Sequence, residues 1–195
     1  MLYIWLYLYW RAGFKIFLMS KRQTILAVDD NGSFLGYIPK ETGHSGEGKR
    51  HLAITVLLFN SKGQVLLQRR KHKIFDNIWD FTASTHPLRK NDGTSESLEE
   101  ATYRSLEVEY GIKGKIPLKN MGFFNYFAKF GEYCENEHDA LLVGEYNGEI
   151  DLNPDTAYEC KWVDKQQVVA DMEQNPQNYS PWALEGLKLL KKVGF

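Results

Sequence analysis

Residues 90–112 read KNDGTSESLEEATYRSLEVEYGI, and their pattern predicts a helix. The helical pattern begins at Ser95 or Ser97, because serine is a favoured residue at helix N-termini. It ends at Gly111, because glycine readily adopts the left-handed conformation that follows the last turn of a helix. The sequence therefore predicts a single helix between these residues.

One acidic residue of this helix is expected to avoid the solvated face. Leu98 and Glu109 are eleven residues apart, nearly a whole number of helical turns, so both lie along roughly the same stripe. A carboxylate in that position needs a partner such as a metal ion or an arginine. The other acids of the segment have the ordinary interpretation of surface charge: Glu96, Glu99, Glu100 and Glu107.

The segments on either side of the helix predict a sheet. Residues 24–28 and 34–38 flank Asp30-Asn31-Gly32, a turn signal, and are expected to form a hairpin. Residues 51–59 are apolar on both faces and rich in β-branched side chains, which predicts a central strand. Further strands are expected at residues 65–68, 122–128, 135–146 and 159–163, a polar loop at residues 40–50, and closing helices at residues 165–172 and 181–191.

The segment Cys134-Glu-Asn-Glu-His138 suggests a metal site. In a strand, Glu135 and Glu137 project to the same face because side chains alternate with period two, and Cys134 faces the other way. Three imidazoles and two carboxylates could enclose one divalent metal ion, and the histidines available are His44, His51 and His86. Spacing alone does not establish that these side chains converge, since a single histidine is more often a structural or surface residue.

A group of cations follows the predicted strand at residues 65–68. The four residues are Arg69, Arg70, Lys71 and Lys73. A strand end that delivers several cations into a loop can bind phosphate groups. The alternative interpretation is a charged loop that is simply solvated.

Composition limits the classes of function. A chain of 195 residues fits one compact domain with an enclosed site. The formal net charge is −1, and no basic tract with interleaved aromatic residues is present, so a nucleic-acid partner is not expected. Two cysteines without a CxxC motif suit a reducing cytoplasm. The sequence gives no indication of the oligomeric state.

Residues 1–18 form an atypical apolar extension. Arg11 and Lys15 interrupt it, well short of the roughly 20 apolar residues that a membrane-spanning helix needs. We expect a non-native or mis-assigned extension before a start at Met19. The alternative is an anchor at a membrane surface, with its tryptophans and tyrosines among the headgroups.

Residues 90–112 also resemble a degenerate Nudix box, a loop-helix-loop motif of the form GX5EX7REUXEEXGU. The opening glycine is replaced by Lys90, and Ser105 and Val108 replace two acids on which the metals of Nudix hydrolases largely sit. The six positions that match are Glu96, Arg104, Leu106, Glu109, Gly111 and Ile112. The resemblance implies an α/β (α+β) Nudix fold, a mixed β-sheet flanked by helices, in a single catalytic domain over residues 19–195.

Most of the chain from residue 19 to residue 190 resembles one branch of that superfamily, the type 1 isopentenyl-diphosphate isomerases. His44 and His51 resemble the paired histidine ligands of that family, His86-Pro87 resembles its third histidine, and Glu135-Asn-Glu137 matches its ENE segment. Other similar positions are Tyr126, Lys161-Trp162-Val-Asp164 and Ser180-Pro-Trp182.

The resemblance implies a reaction of isoprenoid biosynthesis in which a double bond moves through a carbocation-like species. The residues implied as ligands of one divalent metal ion are His44, His51, His86, Glu135 and Glu137. Mixed imidazole and carboxylate ligands leave the ion open among Zn²⁺, Mn²⁺ and Mg²⁺. Glu137 and Tyr126 would handle a proton on one side of the substrate, and Trp162 would offer its π face to the cation.

The resemblance also implies a site for a small-molecule diphosphate. A second metal ion, Mg²⁺ carried on the diphosphate, would meet Glu109. Lys40, Arg70 and Lys73 would bind phosphate oxygens.

The sequence departs from the family at one position. The catalytic cysteine expected two residues before His86 is Ser84 here, and a serine hydroxyl is much less acidic than a thiol and needs a base beside it. Three functions therefore stay open: a metal-dependent isomerase that uses Ser84 or a water molecule, a Nudix-type hydrolase of an isoprenoid or nucleotide diphosphate, and a diphosphate-binding protein without turnover.

Overall fold

A computed structural model describes residues 23–194 of the chain. The described residues form nine strands: β1 Thr24–Val28, β2 Phe34–Pro39, β3 His51–Phe59, β4 Gln64–Arg70, β5 Trp79–Asp80, β6 Ala83–Thr85, β7 Leu118–Phe130, β8 Tyr133–Glu145 and β9 Ala157–Asp164. The α-helices are α1 Lys40–Gly43, α2 Leu98–Tyr110, α3 Lys165–Gln174 and α4 Pro181–Lys192, and a short 3₁₀ helix covers Pro176–Asn178.

Strand β3 lies at the centre of one mixed sheet. It runs parallel to β8 over its whole length, from His51 beside Glu137 to Phe59 beside Glu145. Its other partners are antiparallel, namely β1 at its start, β6 in its middle and β4 at its end. Strand β7 pairs with β8, and β9 pairs with β4. The predicted mixed sheet is confirmed.

Helices cover both faces of the sheet. Val56 and Leu58 of β3 pack in a buried cluster with Leu106 of α2. Leu57, which points the other way, belongs to a second cluster together with Val168 of α3 and Leu187 and other residues of α4. Both faces of β3 are therefore buried, which explains why its sequence is apolar without alternation.

Helix α2 begins as its sequence predicts. The Ser97 hydroxyl accepts a hydrogen bond from Glu100 N at 3.1 Å, and the Glu100 carboxylate accepts one from Ser97 N at 2.7 Å. This reciprocal capping box identifies Ser97, rather than Ser95, as the N-cap residue. Gly111 ends the helix with φ of +64°, the left-handed conformation expected there.

The other predicted strands and helices are present, most of them longer by a few residues. The predicted loop over residues 40–50 is wrong in part, because its first four residues form the single turn of α1. Strands β5 and β6 contain two and three residues, too few for a sequence periodicity to reveal them. The prediction about residues 1–18 lies outside the described residues. Over residues 23–194, no helix has the length and apolar character to cross a membrane.

Candidate active site

Three neighbouring strands place three polar side chains in one row. The parallel register sets His51 of β3 beside Glu137 of β8, and the antiparallel register sets Tyr126 of β7 beside the same glutamate. The Tyr126 hydroxyl donates a hydrogen bond to Glu137 Oε2, and His51 Nε2 lies 3.3 Å from Glu137 Oε1. Sheet register therefore brings together residues that are far apart in the sequence.

Two further histidines complete the cluster. His44, which follows α1, places Nε2 at 3.1 Å from Glu135 Oε2. His86, which follows β6, places Nε2 at 2.9 Å from Glu137 Oε1 and 3.2 Å from His51 Nε2. Potential ligand atoms of the three histidines and Glu137 all lie within 4.8 Å of one another. The three histidines and Glu137 therefore converge, which sequence spacing alone could not establish. Glu135 contacts this group through His44.

The donor set fits a metal ion. His44 Nδ1 and His51 Nδ1 each lie 2.8 Å from a backbone carbonyl, of Lys40 and of Lys49, so these atoms carry the protons and both Nε2 lone pairs are free to bind a metal. Glu135 Oε2 is buried without a hydrogen-bond partner among the described residues. It lies beside His44 Nε2, whose pKa is raised by Glu135 against the effect of burial, so either a proton or a metal ion occupies the space between these two atoms.

Charge and burial shift the pKa values in this cluster. Burial opposes ionisation of Glu137, but the adjacent imidazoles of His51 and His86 outweigh it and hold the Glu137 pKa well below its usual range. Burial and the charge of Glu137 raise the pKa of Glu135. Burial lowers the pKa of His86 well below its usual value. A neutral imidazole beside an ionised carboxylate is the protonation state that binds metal ions.

Two glycines allow the chain to pack closely behind the cluster. A Cβ atom on Gly43 would lie 2.8 Å from His51 Nδ1, and one on Gly48 would lie 2.5 Å from Cys134 Sγ. Gly48 also has φ of +57°, which favours glycine. Cys134 is buried against Gly43 and, unlike Glu135, is absent from the described residues that line the cavity discussed below.

The cluster lies in the wall of a cavity of about 880 Å³. All three predicted phosphate-binding cations line this cavity: Lys40, Arg70 and Lys73. Arg70 Nε is buried and has no hydrogen-bond partner among the described residues. Since a buried N–H donor without a partner is costly, it is suited to an incoming oxygen acceptor.

Glu109 also lines the cavity, as its position on the helix predicts. The Ser105 hydroxyl, one turn earlier on α2, donates a hydrogen bond to Glu109 Oε1. Burial raises the pKa of Glu109 to about 7, although Ser105 and the charge of Arg70 oppose that increase. Arg70 thus acts on Glu109 through its charge, whereas Ser105 donates the direct hydrogen bond to the Glu109 carboxylate.

Ser84 and Trp182 lie in the same wall. Ser84 of β6 lines the cavity, and its hydroxyl donates a hydrogen bond to Asp80 Oδ2 at 3.1 Å. Trp182 of α4 is buried, lines the cavity, and has the Arg70 guanidinium 4.6 Å from its ring centroid. Its ring centroid is 6.1 Å from that of Tyr126.

Comparisons with known proteins agree with this geometry. Residues 49–183 match the NUDIX domain family. Isopentenyl-diphosphate Delta-isomerase 2 of Aromatoleum aromaticum is 32% identical over 161 residues, which is 81% of each chain. The Nocardia farcinica protein named isopentenyl-diphosphate Delta-isomerase is 32% identical over 83% of this chain and 91% of its own length. The chain belongs to the isopentenyl-diphosphate isomerase family of Nudix proteins.

Solved structures support the Nudix fold of this family member. A crystal structure from Deinococcus radiodurans has a TM-score of 0.57 and 16% identity, and covers 78% of this chain and 90% of that chain. The MutT protein of Methanosarcina mazei has a TM-score of 0.56 and 20% identity, and covers 75% and 96%. At these identities the likeness concerns the fold alone.

Two residues of the Nudix box in this isomerase-family chain bind the backbone of the loop that carries His86, a member of the histidine–glutamate cluster. Arg104 donates two hydrogen bonds of 2.8 Å to the carboxylate of Glu96 and one of 2.9 Å to the backbone carbonyl of His86. Glu96 in turn accepts a hydrogen bond from Leu88 N at 3.0 Å. Glu96 and Arg104 therefore fix the loop that carries His86.

Trp162 lies away from the cavity that the other predicted site residues line. This side chain is partly buried and packs against the cluster on the α2 face, and it is absent from the described residues that line the cavity. In β9, Trp162 pairs with Leu66 of β4, a buried member of the same cluster. The tryptophan in the cavity wall is Trp182, from the other family-like segment, Ser180-Pro-Trp182.

Proposed function

We propose that this chain isomerises isopentenyl diphosphate to dimethylallyl diphosphate in a metal-dependent reaction. The observation that carries the proposal is the convergence of three histidines and Glu137 in the wall of a cavity that cations also line. The relatives that match most of the chain bear the name of this activity. The two free cysteines among the described residues are consistent with a cytoplasmic location.

The diphosphate end of the substrate is assigned to the cationic side of the cavity. Arg70 offers a buried, unpartnered Nε donor among the described residues, and Lys40 and Lys73 line the same space. A Mg²⁺ ion carried on the diphosphate would be met by Glu109, whose carboxylate is the Nudix-box acid that lines the cavity beside Arg70. Replacement of two box acids by Ser105 and Val108 leaves fewer ligands for the metals of a hydrolase.

The proton-transfer groups are assigned to two positions in the cavity wall. His44, His51, His86, Glu135 and Glu137 would hold Zn²⁺, Mn²⁺ or Mg²⁺, which would fix the carboxylate and offset its charge. Glu137 and Tyr126, joined by a hydrogen bond, would handle the proton on one side of the substrate. Ser84 would take the family cysteine's place for the second proton. Trp182 would present its π face to the cationic centre between these two steps.

Product analysis with isopentenyl diphosphate tests this proposal. The purified chain, loaded with Mg²⁺ and with Zn²⁺ or Mn²⁺ in separate samples, should form dimethylallyl diphosphate. Release of phosphate or pyrophosphate would instead assign a hydrolase. Binding without any product would assign a diphosphate-binding protein.

Glu109→Gln should weaken Mg²⁺-dependent binding of isopentenyl diphosphate by about tenfold or more at pH 8, because it removes a negative charge and keeps the side-chain volume. With a pKa of about 7, the carboxyl group of the wild type is increasingly protonated as the pH falls below 7. The Mg²⁺-dependent affinity of the wild type should therefore fall about tenfold per pH unit below that value.

Calorimetric titrations at pH 6 and pH 8, with and without Mg²⁺, measure this effect. Glu107→Gln, an exposed glutamate on the same helix, is the matched control and should behave as the wild type does. Equal Mg²⁺ dependence in Glu109→Gln and Glu107→Gln would remove Glu109 from the magnesium site.

Trp182→Leu should lower kcat by about 30-fold, because a desolvated cation–π interaction contributes about 2 kcal/mol. Trp162→Leu removes the same kind of side chain from a partly buried position outside the cavity and should lower Tm while kcat per folded molecule stays unchanged. Initial rates, normalised to the folded fraction from circular dichroism, separate the two variants. If Trp162→Leu lost more kcat than Trp182→Leu, Trp162 would be the residue that stabilises the cation.

A further inference from the structure

One buried carboxylate beside the cavity, in contact with residues that line it, has no role in the reaction as assigned above. Asp80, at the end of β5, is fully buried. Its Oδ2 atom accepts hydrogen bonds from Arg70 Nη1 at 3.0 Å, Trp182 Nε1 at 2.9 Å and Ser84 Oγ at 3.1 Å. Its Oδ1 atom accepts hydrogen bonds from Ser180 Oγ at 2.7 Å and from Phe81 N at 2.8 Å.

The donors of this network come from three separate elements. Arg70 ends β4, Ser84 lies in β6, and Trp182 is in the first turn of α4. Ser180, which also donates to Asp80, is the N-cap residue of α4. The Asp80 carboxylate therefore connects the start of α4 with strands β4 and β6 by hydrogen bonds. The three donors on these elements all line the cavity.

We propose that Asp80, which does not itself line the cavity, is a positioning residue. Its carboxylate fixes the side chains of Arg70, Ser84 and Trp182, which do line the cavity. The roles of these three groups rest on the proposed function, but their joint placement does not. Within the described residues, Asp80 forms no hydrogen bond with a side chain of the histidine–glutamate cluster.

The network sets which part of the Ser84 hydroxyl faces the cavity. A hydroxyl group has one hydrogen and two lone pairs. Because the hydrogen of Ser84 is directed to Asp80, the lone pairs are left for the cavity, and Ser84 presents an acceptor to the substrate. Asp80 thus supplies the base that a serine requires in a position where a thiol is expected.

The same carboxylate holds Arg70 against Trp182. The guanidinium lies over one face of the indole ring, 4.6 Å from its centroid, and both groups donate to Asp80 Oδ2. Without Asp80, the partly buried guanidinium would lose its ion-pair partner and the indole N–H its acceptor. A neutral replacement at residue 80 should therefore disturb diphosphate binding and the indole position together.

Asp80→Asn tests the proposal, with Asp171→Asn as the matched control. Asp171 accepts hydrogen bonds from Tyr179 and Asn175, and neither donor is among the described residues that line the cavity. Three quantities are measured at equal metal content: the Kd of Mg²⁺-pyrophosphate, kcat for isopentenyl diphosphate, and the indole N–H resonance of Trp182 in ¹⁵N-labelled protein. The Trp182 resonance is assigned with Trp182→Phe.

Asp80→Asn should raise the Kd of pyrophosphate at least tenfold, lower kcat by about 10²-fold and shift the Trp182 resonance, because small displacements of positioned groups have large effects on rate. Asp171→Asn should change none of these. If Asp80→Asn does not fold, the comparison is between Arg70→Met and the double variant Arg70→Met, Asp80→Asn, which lacks both charges. The double variant should have the lower kcat and the shifted indole resonance.

The outcomes separate this inference from the proposed function. If the wild type forms no dimethylallyl diphosphate, but Asp80→Asn weakens pyrophosphate binding and shifts the resonance, the proposed function is wrong and the positioning role holds. If the wild type is an isomerase and Asp80→Asn equals Asp171→Asn in all three quantities, the positioning role is wrong. Equality of the double variant with Arg70→Met would overturn it in the same way.

Discussion

Glu137→Gln should lower the rate of isopentenyl diphosphate isomerisation by about 10²- to 10⁴-fold, the usual contribution of a proton-transfer group. Both carboxylate oxygens of Glu137 are in use, since Oε1 faces the imidazoles of His51 and His86 and Oε2 accepts the Tyr126 hydroxyl hydrogen. An amide offers only one oxygen. Its NH₂ group would therefore face either the histidine lone pairs or the Tyr126 hydroxyl.

The matched control for this prediction lies on the same strand. Glu145 at the exposed end of β8 accepts a hydrogen bond from Asn147, so Glu145→Gln changes the same functional group far from the cluster. Rates are compared at equal metal content, measured by mass spectrometry, and Tm is measured for both variants. A Glu137→Gln variant that binds metal and retains the wild-type rate would exclude Glu137 from proton transfer.

The parts of the fold that sequence predicts well are those with a strong local signal. Ser97 and Gly111 mark the two ends of α2 through their own backbone and side-chain chemistry, independent of distant residues. Strand β3 is predictable because burial of both faces leaves an uninterrupted apolar run. Strands β5 and β6 carry no such signal, since they are ordered by pairing with β4 and β3.

The histidine–glutamate cluster was predictable only in part from local sequence pattern. Alternation in β8 places Glu135 and Glu137 on one face, but the convergence of the histidines depends on the parallel register of β3 and β8 and on the path of β6. That register is a property of the whole sheet. The family resemblance supplied the histidines because it carries information that spacing in one sequence lacks.

The position of Trp162 away from the cavity has a related cause. Both family-like segments, around Trp162 and Trp182, contain a tryptophan, and a strand residue can face either side of a sheet. Which side of β9 is the core follows from its pairing with β4 and the packing of α2 on that face. The role of Asp80 could not be predicted from local sequence pattern for the same reason. Its hydrogen-bond partners include Ser180 and Trp182, about a hundred residues further along the chain.

The substitution at position 84 leads to the second prediction. Ser84→Cys should raise the isomerisation rate, by up to about 10²-fold, because a thiol with a pKa near 8.5 exchanges protons far more readily than a serine hydroxyl at neutral pH. The position suits the exchange, since Ser84 lines the cavity together with Tyr126, Glu137 and Trp182. Arg70, paired with Asp80 at 3.0 Å, offsets the carboxylate charge that would otherwise disfavour a thiolate there.

Conversion to dimethylallyl diphosphate is followed for the wild type, Ser84→Cys and Ser84→Ala at equal metal content. Ser84→Ala removes the hydroxyl while Asp80 keeps its other donors, so it should be slower than the wild type if Ser84 itself transfers the proton. Equal rates for the wild type and Ser84→Ala, together with a gain in Ser84→Cys, would assign the proton transfer of the wild type to water. If Ser84→Cys gives no gain and the wild type releases phosphate, the isomerase assignment must be replaced by a hydrolase, because a hydrolase has no use for a thiol at the position of the second proton transfer.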